Sequence, residues 1–262
     1  MAMTLKPVHP SRGAHWVRDG WRLFLKRPVG LTAPYALFIV LLVLALVFGL
    51  VGVGLMVVAL PLFGLGYMVA CQAVLLDGKL SLGHFIEPMR PPSQRRRPLL
   101  GLCLLFGVLI LLAGFLSSLI AGDTLSRLVQ LSTSRGAPKA EIDALLADRS
   151  LLGGVLAMGS LTLLISMVFW HAPALVYWGQ QSVAQSLFSS AVAVWRSRGA
   201  FVVYGLTLLG VGLVLQLGIA ALHALLGPGL LLSLASSTAG MAYSAVFYTS
   251  LVFTFNDSFG TQ

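Results

Sequence analysis

The chain has 262 residues; 58% of them are hydrophobic, only 10% are charged, and the formal net charge is +9. Soluble domains run at about 45–50% apolar and about 25% charged, so this composition excludes a water-soluble globular fold. The basic residues sit in short stretches beside apolar blocks, where positive charge sets topology and meets anionic lipid head groups, which argues against nucleic acid as the partner.

The first element is carried by "HWVRDGWRLFLKRP", 15–28. At the helical period, Trp16, Val17, Gly20, Trp21, Leu23, Phe24 and Leu25 fall on one side, and His15, Arg18, Asp19, Arg22 and Lys26 share the opposite arc. An amphipathic helix over 14–27 is therefore expected, lying in the membrane interface. Trp16 and Trp21 belong to its apolar face, Arg18, Arg22 and Lys26 to its charged face, and Arg27 is placed to snorkel. The alternative is a helix packed on the protein's own cytoplasmic surface, and the two are compatible.

None of Asp, Glu, Lys or Arg occurs in 28–76, 98–122, 150–195 or 199–256. A span needs about 20 mostly apolar residues. The expected fold is all-α, a polytopic membrane protein of about six transmembrane helices, at about 31–51, 55–76, 99–121, 151–178, 199–224 and 230–255. Together with cytoplasmic interfacial amphipathic helices they make a single integral membrane domain over 1–262. The first apolar block exceeds the roughly 7–15 residues of a cleavable signal core and reads as a signal anchor. Glycines 49, 52 and 54 mark a turn between the first two spans, and Pro61 bends the second.

The stretch "DGKLSLGHFIEPMRPPSQRRRP", 77–98, reads as a solvated loop, and 122–150 as an extracytoplasmic one holding short helices at 124–132 and 138–148. In "SVAQSLFSSAVAVWRSR", 182–198, one face carries Val183, Leu187, Phe188, Ala191, Val194 and Trp195; the other carries Gln185, Ser186, Ser189, Ser190 and Arg196. The segment 180–195 either lies on the membrane or dips into it. Odd-numbered spans are thus each preceded by an apolar–polar segment and a basic cluster, which implies three hairpins. The basic clusters are Arg12 to Arg27, Lys79 to Arg97, and Arg196 with Arg198. In contrast, Arg127, Arg135, Lys139 and Arg149 are matched by Asp123, Glu141, Asp143 and Asp148. The positive-inside rule then places both termini in the cytoplasm and 122–150 on the periplasmic or outer side.

Ionisable residues inside spans are functional candidates, and only His171 and His223 qualify. His171 stands in "FWHAP", where Pro173 removes a backbone donor and kinks the fourth span. Trp170, His171, Pro173 and Gln180 make the candidate ligand or kink region. A carrier would need a polar cavity between the second, fourth and fifth spans, lined by Gln72, His171, Gln180 and Gln216. Paired acids, a nucleophile–base pattern, metal-ligand spacing and a phosphate-binding loop are all missing, so no cofactor and no enzymatic activity are expected. The isolated Cys71 and Cys103 read as reduced packing residues. Ser233, Ser237, Gly240 and Ser244 form a small-residue stripe expected to pack within the bundle.

"GWRLFLKRP" before the first span, "FWHAPALVYWGQQSVAQSLFSSAVAVWRSRGAFVVYGL" over 169–206 and the closing "YTSLVFTFNDSF" together resemble an uncharacterised proteobacterial inner-membrane family of BPSS type. The resemblance implies a multi-pass inner-membrane protein and carries over no catalytic residue. A non-enzymatic membrane scaffold or accessory protein is the expected function, working with a membrane-protein partner or as a homo-oligomer. A small-molecule or lipid transporter with a site near the kink is the alternative.

Overall fold

The computed structural model describes residues 3–77, 80–90, 95–133, 138–227 and 229–261. Six helical stretches are long and apolar enough to cross a membrane: Pro28–Leu46, Gly49–Leu76, Arg96–Ala121, Arg149–Tyr177, Arg198–Leu226 and Leu230–Ser258. The protein is an all-α, multi-pass integral membrane protein. Each span follows from a charge-free block, because helices satisfy every backbone polar group within the segment.

In chain order the elements are a short strand β1 (Met3–Leu5), α1 (Arg12–Lys26), then the first hairpin of α2 (Pro28–Leu46) and α3 (Gly49–Asp77). Pro28 sits in the first turn of α2, where its missing donor costs nothing. The hairpin turns at Gly49 with φ +58, and at Gly52 a Cβ would lie 2.0 Å from the Ala45 carbonyl oxygen, so that close approach demands glycine. The loop expected at 77–98 is partly folded. It holds α4 (Gly83–Ile86) and a 3-10 turn (Glu87–Met89), anchored where Phe85 lies edge-on to Tyr67 at 5.0 Å.

The second hairpin is α5 (Arg96–Ala121) and α8 (Arg149–Phe169), with α6 (Asp123–Thr133) and α7 (Lys139–Leu146) at its far end. Gly154 lets α8 approach α5 closely; a Cβ there would meet the Ala121 side chain at 2.7 Å, and the Ser117 hydroxyl donates to the Gly154 carbonyl. The fourth span is broken: α9 (Ala172–Tyr177) follows α8 after an interruption at Trp170 and His171. The third hairpin comprises α10 (Val183–Arg196), α11 (Arg198–Leu226) and α12 (Leu230–Ser258), closed by β2 (Phe259–Thr261). Lys79, Arg135, Pro228 and the side chains of Leu125, Val129 and Ser132 lie outside the described residues.

β1 and β2 pair antiparallel, with Thr4 opposite Gly260, so both ends of the chain meet at one end of the bundle. The buried core is concentrated there, around Trp16, Tyr67, Leu102, Leu175, Tyr204 and Val252. Away from it, the outer parts of the first and third hairpins expose Val43, Leu44, Phe48, Leu217, Leu225 and Leu231. In lipid such exposure costs nothing, because acyl chains are as apolar as leucine.

Two face assignments change. In α10 the buried residues are Ser186, Ser190, Ala193 and Val194, whereas Phe188 and Trp195 stand exposed. The serines are small enough to let α10 sit close to the break in the fourth span, and the bulky aromatics point outward from the bundle. The Ser233–Gly240 stripe of α12 does not pack inside the bundle: Ser233, Ser237 and Gly240 are exposed. The two hydroxyls instead bond back to the carbonyls of Gly229 and Ser233 on their own helix.

Candidate functional site

α1 lies against the bundle with Gly13, Trp16, Val17, Gly20, Leu23 and Phe24 buried. This stripe recurs at three- and four-residue intervals, as one helix face requires. Its glycines set the distance. A Cβ at Gly13 would come within 2.1 Å of the Ala200 carbonyl oxygen on α11, and one at Gly20 within 2.8 Å of the Ser250 Cβ on α12. The Thr249 hydroxyl donates to the Gly20 carbonyl at 3.1 Å.

The two tryptophans of α1 therefore part company. Trp16 is fully buried, tilted against Phe201 and edge-on to Tyr204 at 5.3 and 5.8 Å, and its indole N–H donates to Asp257 Oδ2 at 2.7 Å. Its expected place in the lipid interface is thus corrected: an internal carboxylate and two aromatic rings hold it instead. Trp21 is 46% exposed, together with Arg18, Arg22, Lys26 and Arg27.

Asp257 also accepts from Arg12 Nε at 2.7 Å, which raises the Arg12 pKa from its ordinary value. Asp19 lies within 4 Å of Arg12, Arg18 and Arg22. Asp257 lies in the last turn of α12 and is not among the residues that the sequence singles out. It is the one side-chain carboxylate after Asp148, an isolation that marks the residue but names no partner.

At the break in the fourth span, Pro173 cannot donate to the Phe169 carbonyl, and the chain opens at Trp170–His171. The His171 backbone N–H is recovered by the Ser190 hydroxyl of α10 at 2.9 Å. The His171 ring is fully buried among Phe201, Phe255 and Phe259. Thr254 of α12 gathers both polar side chains: Trp170 Nε1 donates to its hydroxyl oxygen at 3.2 Å, and His171 Nε2 lies 3.3 Å from it. The Thr254 hydroxyl itself donates to the Leu251 carbonyl, so Nε2 is the donor in its contact. That leaves His171 Nδ1 as an acceptor with no partner among the described residues.

The polar residues expected around a transport cavity do not converge. Beside the break lies a cavity of about 190 Å³, lined by Leu65, Met68, Phe106, Ser166, Trp170, Pro173 and Tyr248 among others, and dominated by apolar groups. His171 is packed behind it, Gln216 is exposed on α11, and Gln72 is half-buried on α3. Gln180 has left-handed backbone with φ +52 and lines a separate hollow of about 240 Å³ with Arg95, Pro98, Val176 and Gln181. His223 is bonded through Nδ1 to its own helix at the Ile219 carbonyl. Cys71 and Cys103 are free and buried.

No family model matches the chain, and no solved structure matches it. The chain is 27% identical to a probable inner membrane protein of Burkholderia thailandensis, over 99% of this chain and 95% of that protein. With six membrane-crossing helices and a relative along nearly its whole length, the chain is a multi-pass membrane protein similar to a probable inner membrane protein of a proteobacterium.

Proposed function

We propose that the protein is a non-enzymatic scaffold or accessory protein of the inner membrane, with both termini in the cytoplasm. One observation carries the reading: apart from His171 Nδ1, the polar groups of Trp170, His171, Ser190 and Thr254 at the broken fourth span are spent on internal contacts, and the cavity beside them is apolar. Ser190 is committed to the His171 backbone, and Thr254 to Trp170, His171 and Leu251. Transport of a polar solute requires convergent polar groups reachable by water. The polar side chains instead lock α1 to α12 and hold α10 and α12 to the break in the fourth span, which makes a rigid platform at the termini end.

The transporter reading is favoured by one feature, the unpartnered Nδ1 of His171 at a helix break. Native mass spectrometry of the full chain extracted from its own membranes separates the two. A scaffold retains a second membrane protein, or a second copy, at fixed stoichiometry, and proteoliposomes of the purified chain move no solute. Solute flux in proteoliposomes that His171→Phe abolishes, without loss of folding, would overturn the scaffold reading.

A further inference from the structure

An open apolar groove of about 650 Å³ runs between α2, α3 and the segment 80–90, within the range of ligand-binding pockets. Its walls include Leu37 and Phe38 of α2, Ala59 and Phe63 of α3, and Phe85 and Ile86 of α4. The far wall is fixed, because Phe85 packs on Tyr67 and fits against Gly66, where a Cβ would meet the Phe85 carbonyl oxygen at 2.9 Å. At Ser81 and Leu82 the groove meets a second hollow of about 850 Å³, lined by Lys26, Arg27, Gly30, Ala33 and Leu80. Arg90 stands on the lining of the groove, with its guanidinium beside Gly83.

Charge and polarity are thus separated along one path: three cations and a serine at the mouth, apolar side chains beyond. Among the described residues, no carboxylate lines either part. Glu87, the neighbouring acid, accepts from the Tyr177 hydroxyl at 3.0 Å on the other side of the 3-10 turn. From Pro28 to Leu41 the path follows α2 for about 20 Å, more than the roughly 15 Å depth of one leaflet's hydrocarbon. The mouth lies where α1 ends and the first span begins, and the ends of spans are where a bilayer presents its head groups.

We propose that this groove binds one anionic glycerophospholipid, with its phosphate between Lys26, Arg27, Arg90 and Ser81 and an acyl chain along α2 and α3 under Phe85. A lipid held this way bridges α1, the first hairpin and the segment 80–90. The site does not depend on the scaffold reading, since a transporter could hold the same structural lipid.

The test is native mass spectrometry of the full chain titrated with phosphatidylglycerol or phosphatidylcholine of identical acyl chains. The expected result is a single retained phosphatidylglycerol, held about tenfold more tightly than phosphatidylcholine. The combined Lys26→Ala, Arg27→Ala and Arg90→Ala variant should lose that preference, and Ala59→Phe should weaken both lipids by filling the groove. A variant that keeps the charges, Lys26→Arg with Arg90→Lys, should retain the preference and guards against a folding artefact. The proposal is overturned if the wild type holds both lipids equally, if the alanine variant keeps the preference, if the charge-keeping variant loses it, or if Ala59→Phe has no effect. Displacement of the lipid by inorganic phosphate would also overturn it, since the mouth would then be a phosphate site that makes no use of the groove.

Discussion

The indole of Trp16 and the carboxylate of Asp257, 241 positions apart in sequence, are joined by a 2.7 Å hydrogen bond that ties the first helix to the last. Trp16 brings aromatic burial against two rings as well as this bond, whereas Asp257 brings the bond and a half-exposed pair with Arg12. Trp16→Ala should therefore cost about 3–5 kcal/mol. Asp257→Asn, which removes the charge and keeps an acceptor for Trp16, should cost only about 1 kcal/mol. Thermal unfolding in detergent checks the order; equal effects would mean that packing of Trp16 matters little.

Trp21 points the other way and should report on lipid. In vesicles containing brominated acyl chains, the emission of a variant keeping Trp21 as its only tryptophan should be quenched strongly. A variant keeping only Trp16 should be quenched weakly, because its ring is buried among Phe201 and Tyr204.

Glycine positions divide by what a methyl group would meet. Gly13→Ala drives a Cβ into the Ala200 carbonyl and should destabilise by about 1–3 kcal/mol as α1 is pushed off α11. Gly205→Ala, on the same α11 but with open space beside it, should be neutral or stabilise by up to about 1 kcal/mol through helix propensity. Detergent melting curves of the two variants give the contrast directly.

Ser190→Ala should be costly for so small a change. It strands the buried His171 N–H, a loss of about 1–3 kcal/mol. Ser190→Thr keeps the hydroxyl and should recover part of that loss. If Ser190→Ala melts like the wild type, Ser190 is not what satisfies the break.

At the opposite end, Asp148 caps α8 by accepting from the Ser150 N–H and hydroxyl, which lowers its pKa below the ordinary carboxylate value. Because the folded-state pKa is the lower one, the cap's contribution is fully present above about pH 4. It is lost as pH falls through the depressed value. Protection from hydrogen exchange at the first turn of α8, corrected for the intrinsic pH dependence, should thus be steady from pH 7 to about pH 4 and fall below it. Asp148→Asn should remove that fall.

The spans were legible because an uncharged block of about 20 residues has few alternatives in a membrane protein, and even the break at Pro173 followed from one missing donor. What a helix face meets was not legible. The wheel of α1 put Trp16 and Trp21 on the same apolar side, yet one enters the bundle and the other faces outward, because Gly13 and Gly20 select a narrower stripe. In α10 the serines are inside and Phe188 and Trp195 outside, since only small side chains fit against the break in the fourth span. The Ser233–Gly240 stripe shows the same limit: small residues permit close packing without supplying the partner. Asp257, Arg12 and the β1–β2 pairing depend on contacts between the two ends of the chain, which no local pattern records.

The topology drawn from the basic clusters makes its own forecast. An alkaline phosphatase fusion at Pro138 should be active and one at the C-terminus inactive, with a cytoplasmic fluorescent reporter giving the reverse. An active phosphatase at the C-terminus would invert the orientation and leave the fold as described.

Whether the centre of the protein carries a solute path is tested most directly by Ser166→Cys, placed on the cavity beside the fourth-span break in a Cys71→Ala, Cys103→Ala background. Sealed membrane vesicles of each orientation are treated with a membrane-impermeant maleimide. The scaffold account predicts no labelling from either side, because it runs no water path through this apolar cavity. Labelling from both sides would show an alternating path through the bundle and contradict it.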